Sequence, residues 1–139
     1  MKHLGFTGTK KGIGSDQRKA LQGALAIFRE KGYLWMHNGD CIGADATAAL
    51  LWRRVKGKIY LHPPIKTRFR ANLVADISCE PLDYLARDRH IAESSEVLVA
   101  TPSGFFEEVR SGTWTTVRYA RKLRRHIFLV FPDGTVRKE

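Results

Sequence analysis

The stretch Leu4-Gly5-Phe6-Thr7-Gly8-Thr9-Lys10-Lys11-Gly12-Ile13-Gly14-Ser15 passes from a short apolar run into a loop of glycine, hydroxyl and lysine residues, and then into a segment of helical period. In that segment Leu21, Leu25 and Phe28 recur at i, i+4 and i+7 with Ala24 and Ile27 beside them, one apolar stripe on a helix expected over about 15–31. Ser15 is the expected N-cap, because its hydroxyl can accept from a free first-turn amide, and Gly32 the expected stop. The order is strand, glycine-rich turn, helix.

The unit then repeats. Further apolar runs are Tyr33-Leu34-Trp35-Met36, Ile59-Tyr60-Leu61, Val97-Leu98-Val99-Ala100 and Ile127-Phe128-Leu129-Val130-Phe131. Hydrophobicity that is continuous rather than alternating marks strands buried on both faces, as in a parallel sheet covered by helices. Helical periods are expected over about 43–56, with Ala48, Leu51, Trp52 and Val55 aligned, and over about 82–94, with Leu82, Leu85 and Ala92 inward and Arg87 and Arg89 outward or in a site. A fourth is expected over about 112–125, with Val117, Ala120 and Leu123 toward the sheet. This alternation predicts a doubly wound α/β domain over residues 1–139, a mostly parallel sheet of about five strands with helices on both faces. Residues 63–81 break the pattern and read as a crossover loop that covers a site, and the tail after Gly134 reads as frayed.

Composition narrows the function. At 139 residues, 43% of them apolar, the chain supports one packed domain and excludes a disordered basic tail. No stretch approaches the roughly 18 consecutive apolar residues of a membrane span, and the opening Met-Lys-His-Leu-Gly-Phe lacks the apolar centre of a secretory leader, so a cytoplasmic protein without membrane partners is expected. Cys41 and Cys79 form no CxxC pair, and His3, His37, His62, His90 and His126 show no ligand spacing. Two reduced thiols in or near the core are expected, with neither structural metal nor cofactor. The formal charge of +10 fits nucleic acid, an anionic surface or a small phosphorylated ligand, and the placement of the charges has to decide.

In an open parallel sheet, ligands bind beyond the C-terminal ends of the strands. After the first run, small residues admit an anion to backbone amides, Thr7 and Thr9 offer hydroxyls, and Lys10 and Lys11 add charge. After the second run come Asn38-Gly39-Asp40-Cys41-Ile42-Gly43-Ala44-Asp45; the helix dipole alone would favour Asp45, whereas Asp40 has no such local reason for its place. Beyond the fourth run, Arg110-Ser111-Gly112-Thr113-Trp114-Thr115-Thr116 opens a helix with small and hydroxyl residues beside an arginine, a second place for phosphate. Strands one and four flank the switch point, so both loops are expected to face one crevice. Arg118, Arg121 and Arg125 form a basic stripe on the last helix, either a solvated face or a nucleic-acid surface with Trp114 as its stacking aromatic. No GxSxG elbow or paired carboxylates can be read, although Asp40, Asp45, Asp88, Glu107 and Glu108 are available as acids or bases.

Gly5-Phe6-Thr7-Gly8-Thr9, Gly39-Asp40-Cys41-Ile42-Gly43-Ala44-Asp45 and Ser111-Gly112-Thr113-Trp114-Thr115-Thr116 together resemble the SLOG superfamily. That group includes the Lonely Guy phosphoribohydrolases, nucleotide-sensing domains of bacterial defence systems and the Rossmann-like domain of DNA-processing protein A. The resemblance implies a Rossmann-like sheet with a nucleotide-derived ligand over the strand tips. It implies Gly8 and Thr9 near base or sugar, Gly43, Ala44 and Asp45 at the pocket edge, and Ser111, Gly112, Thr113 and Thr115 around phosphate. Lonely Guy enzymes carry Pro-Gly-Gly-x-Gly-Thr-x-x-Glu, whose glutamate acts in glycosidic-bond cleavage. Residues 111–118 here contain no glutamate, and Arg118 is read at its place, which favours binding over catalysis.

The leading expectation is therefore a binder of a phosphorylated nucleotide or nucleotide-sugar, a sensor or sequestering protein that assembles as a homo-oligomer. Lys10, Arg70, Arg87 and Arg110 are expected to neutralise phosphate, with Thr9, Asp40 and Asp45 on sugar or base. The alternatives are an N-glycosidase acting on a nucleoside monophosphate, with Asp40, Asp45 or Glu108 as its catalytic group, and a single-stranded DNA-binding module.

Overall fold

Val97 and Val99 pack to one side of the sheet and Leu98 and Ala100 to the other, which is why their run reads as unbroken apolar sequence. The computed structural model describes residues 2–139. In chain order the elements are β1 (His3–Gly8), α1 (Ser15–Glu30), β2 (Trp35–Asn38), α2 (Ala44–Arg54), β3 (Lys58–Leu61), β4 (Ile77–Ser78), α3 (Tyr84–Glu93), β5 (Val97–Thr101), α4 (Gly112–Lys122), β6 (His126–Val130) and β7 (Val136–Lys138). They form one sheet of order β4-β3-β2-β1-β5-β6-β7, parallel except for the β6–β7 pairing.

Each face has its own core. Leu21, Leu25 and Phe28 of α1 and Ala48, Leu51 and Trp52 of α2 meet Leu4, Phe6, Met36 and Ile59 on one face. Ile91 and Ala92 of α3 and Trp114, Val117 and Ala120 of α4 meet Leu98, Ala100, Ile127 and Leu129 on the other. The α/β class and the two-sided covering agree with the sequence reading.

The strand count rises from about five to seven for physical reasons. β4 has only two residues, both exposed, and so no apolar run to announce it. The tail after Gly134 is not frayed: a turn held by Asp133, which accepts from the Thr135 amide and hydroxyl, folds it back so that Val136–Lys138 pair antiparallel with β6. Its charged, exposed residues protect a sheet edge rather than fill a core.

Local expectations shift as well. The N-cap of α1 is Gly14, which has no side chain to cap with, so Ser15 is already helical and the first-turn amides stay open. Leu85 is 60% exposed and Leu123 38% exposed, so neither is a core anchor. Trp114 is 1% exposed, which removes it as a platform for stacking bases.

Candidate functional site

The connections leaving β1 and β5 run to opposite sides of the sheet, so a crevice opens beyond the C-terminal ends of these neighbouring strands. A cleft of about 490 Å³ lies there, a size suited to a small organic ligand. Of the sequence-predicted residues, Thr7, Gly8, Thr9, Lys10, Gly39, Asp45, Arg87, Glu108, Arg110, Ser111, Gly112, Thr113 and Thr115 line it, as does Lys11.

Two glycines set the close approach of its walls. Gly43 sits at φ +87°, and a Cβ there would stand 2.5 Å from the Lys10 carbonyl oxygen. At Gly8 a Cβ would come within 2.5 Å of the Ala44 methyl. The β1 loop can thus lie on the start of α2, where the Thr9 carbonyl accepts from the Gly12 and Ala44 amides.

The α4 end presents unpaired donors to the cleft. Ser111 caps the helix by accepting from the Trp114 amide, and the Gly112 and Thr113 amides of the first turn have no acceptor within the helix. The helix dipole adds positive potential there, and Lys10, Lys11 and Arg110 border the same space. Thr115 is already committed, its hydroxyl donating to the Ser111 carbonyl and accepting from Arg118.

Beside this end lies a buried charge cluster, for a Cβ at Gly112 would stand 4.0 Å from Asp88 Oδ2. Arg87 donates to Asp88 at 2.8 Å and to the Gly39 carbonyl, and its two terminal nitrogens each lie 3.8 Å from Cys41 Sγ. Its guanidinium therefore belongs to the cleft wall and is largely engaged. Asp45 Oδ2 accepts from the Cys41 amide, while Asp45 Oδ1 is buried without a hydrogen-bond partner. Burial pushes the Asp45 carboxyl up to about 7 against the opposing pull of Arg87, and Asp88 up to about 6 for the same reasons. Burial also pushes the Cys41 thiol up to about 11, so it is no thiolate nucleophile at neutral pH.

Asp40, Arg70, Gly43 and Ala44 do not line the cleft. Asp40 is fully buried, pairs with the Arg70 guanidinium and accepts from the Leu73 amide. With Ile42 donating to the Phe69 carbonyl, this pair ties the 63–81 segment to the tip of β2. The crossover reaches the cleft rim through Phe69, over whose ring Lys10 Nζ sits 4.4 Å from the centroid.

Sequence reading missed the wall that α3 contributes, Tyr84, Leu85 and Ile91 around Arg87 and Asp88. The signal was present, since positions 84, 87, 88 and 91 share one helix face, but its mixed polarity hides a stripe. Arg118 does not face the cleft. It donates to Glu107 and to the Glu108 and Val109 carbonyls, clamping the loop before α4. Counted from Gly112-Thr113, the place of the motif's glutamate falls on Thr116 and not on Arg118, and the buried Thr116 hydroxyl donates to the Gly112 carbonyl.

The arginine stripe is largely engaged: Arg118 and Arg121 share Glu107, Arg121 also pairs with Glu139, and Arg125, past the end of α4, donates to the Ala92 and Glu93 carbonyls. No helix among the described residues is long and apolar enough to cross a membrane.

No protein-family model matches the sequence, and no curated protein matches it. Solved structures do. The molybdenum cofactor binding protein of Rippkaea orientalis matches over 94% of this chain and 76% of its own, with 21% identity and a TM-score of 0.71. The molybdenum cofactor carrier protein of Chlamydomonas reinhardtii matches over 92% and 75%, with 22% identity and a TM-score of 0.66. DNA processing protein A of Helicobacter pylori, described with a single-stranded DNA binding mode, matches over 92% and 64%, with 16% identity and a TM-score of 0.66. The likeness is one of fold, a Rossmann-like sheet that this chain shares with these proteins.

Proposed function

We propose that the strand-tip cleft binds a phosphorylated nucleotide or nucleotide-sugar, and that the protein senses or sequesters this ligand. The observation that carries the reading is complementarity within one cleft. Free Gly112 and Thr113 amides with Lys10, Lys11 and Arg110 suit a phosphate, and the orphaned Asp45 Oδ1 suits a donor on sugar or base. The molybdenum cofactor binding of two proteins with this fold supports a small-molecule role for such a cleft. Calorimetry against mononucleotides, dinucleotides, ADP-ribose and cyclic derivatives tests it. Saturable binding is expected, weakened at least about tenfold in Arg110→Ala, the scale of one lost charge-assisted contact. A folded protein that binds nothing in the panel overturns it.

One observation favours a second reading, an N-glycosidase. Asp45 and Asp88 line the cleft with carboxyls held near neutral pKa, the range of a general acid. Chromatography of nucleoside monophosphates after long incubation decides it; free base that disappears in Asp45→Ala supports cleavage, and unchanged substrate rejects it.

A single-stranded DNA role rests on the likeness to DNA processing protein A alone, because Trp114 is buried and the α4 arginines are paired. Charge reversal at Arg121 and Arg125 should then leave any oligonucleotide affinity unchanged. Assembly into a homo-oligomer is part of the proposal as well, with exposed Phe106 and Val109 beside the cleft as the apolar surface, and light scattering with a Phe106→Glu control tests it.

A further inference from the structure

On the face of β1–β3 opposite α1 and α2, histidines replace the apolar residues found elsewhere in the sheet. His3, His37 and His62 lie in series: His3 Nδ1 is 2.7 Å from His37 Nε2, and His37 Nδ1 is 2.7 Å from His62 Nε2. The series ends beside His90 of α3, whose ring stands edge-on to His62 with centroids 4.7 Å apart. Cys79, just after β4, joins them, and one ligand atom from each of His62, Cys79 and His90 lies within 4.8 Å of the others.

Two atoms here lack an explanation. His62 is 2% exposed, and its Nδ1 is buried with no hydrogen-bond partner among the described residues; the same holds for His90 Nδ1. An unpaired ring nitrogen in the interior is costly, and two of them on rings that meet beside a thiol call for a shared partner. A hydrogen-bonded row of neutral imidazoles passes its protons in one direction or the other. In one direction His62 Nδ1 would carry a buried proton with no acceptor. In the other, His62 donates from Nε2 to His37, His37 donates to His3, and the Nδ1 lone pair of His62 is left free to accept a ligand. That arrangement, a ligating imidazole oriented by an outer hydrogen-bond partner, is the habit of metal sites.

We propose that His62, His90 and Cys79 form a binding site for a borderline-soft divalent cation of the zinc class, held by two imidazole nitrogens and one thiolate. Two nitrogens and a sulfur suit that class and disfavour calcium or magnesium, which take oxygen ligands. Binding needs side-chain rotation to bring the three atoms to the roughly 2.0–2.3 Å ligand distances of zinc. Cys79 gives up its proton to solvent as its sulfur bonds the ion, so one proton is released for each cation bound. Cys79 and His90 are only half-buried, which leaves the fourth position open to water. The site is separate from the strand-tip cleft, since none of its three residues lines that space. The wide sequence separation of the three ligands, contributed by a strand end, a loop and a helix, explains why no metal was expected from spacing.

Cobalt titration of tag-free, reduced, metal-stripped protein tests this. The expected result is a thiolate-to-cobalt charge-transfer band with intense visible bands, saturating near one equivalent and abolished by added zinc. Cys79→Ser should lose the charge-transfer band. His90→Asn, a substitution on the flank of α3, should weaken cobalt binding at least about tenfold, and His3→Asn about tenfold through the outer shell. A folded wild-type protein that leaves cobalt with the spectrum of the hydrated ion overturns the site, and so does a charge-transfer band that survives in Cys79→Ser.

Discussion

Asp45 shows how one residue ties stability to the proposed ligand. In the folded protein its carboxyl holds a proton up to about 7, whereas the unfolded chain releases it near the usual 3.8. Between those values the native state binds more protons than the unfolded state, so the Asp45 contribution to stability falls as pH rises from about 4 to 7. Asp45→Asn removes this dependence. Urea denaturation across that range should show the variant gaining on the wild type by on the order of 1–4 kcal/mol, and a constant difference between them contradicts the assignment. Gly43 is the second decisive residue. Gly43→Ala places a methyl in left-handed backbone against the Lys10 carbonyl and should cost about 1–3 kcal/mol in thermal or chemical denaturation. Asp40 shows what local sequence hides: it stands in the right loop for a ligand, yet its partners Arg70 and Leu73 lie 30 and 33 residues further on. No local pattern predicts such a pairing.

Among the elements, α4 and the loop before it form one device. Arg118 reaches back to hold Glu107 and the Glu108 and Val109 carbonyls, and Phe105 stacks on Phe131 with centroids 6.0 Å apart. Arg118→Ala should change global stability by no more than about 1 kcal/mol, as expected for a partly exposed pair. It should nonetheless speed amide exchange at Glu107, Glu108 and Val109, because the local clamp is lost. Unaltered exchange in that loop would remove the clamp from the account. The inward faces of α1 and α2 were legible because the apolar stripe and the helical period coincide. The α3 face was not, because it mixes Tyr84, Arg87, Asp88 and Ile91, and neither was β7, whose residues guard an edge. Sequence periodicity reports burial in apolar surroundings, and elements that serve a polar cleft or a sheet edge fall outside that signal.

For the whole molecule, the +10 charge divides into parts with different fates. Arg118 and Arg121 are spent on Glu107 and Glu139, Arg70 on Asp40, and Arg87 on Asp88, whereas Lys10, Lys11 and Arg110 border the cleft. The switch point between β1 and β5 gathers that rim charge, the open end of α4 and the unpaired oxygen of Asp45 into one space. This convergence was readable in the sequence as two glycine-rich strand ends, since strand order follows from the alternation of runs and helices. The most direct test follows backbone amide resonances while titrating in the tightest-binding nucleotide from the calorimetric panel. The largest shifts are expected at Thr9, Lys10, Gly112 and Thr113, with little change along the outer arginine face of α4. Shifts concentrated on Arg118, Arg121 and Arg125, with the Gly112 and Thr113 amides unmoved, would contradict it.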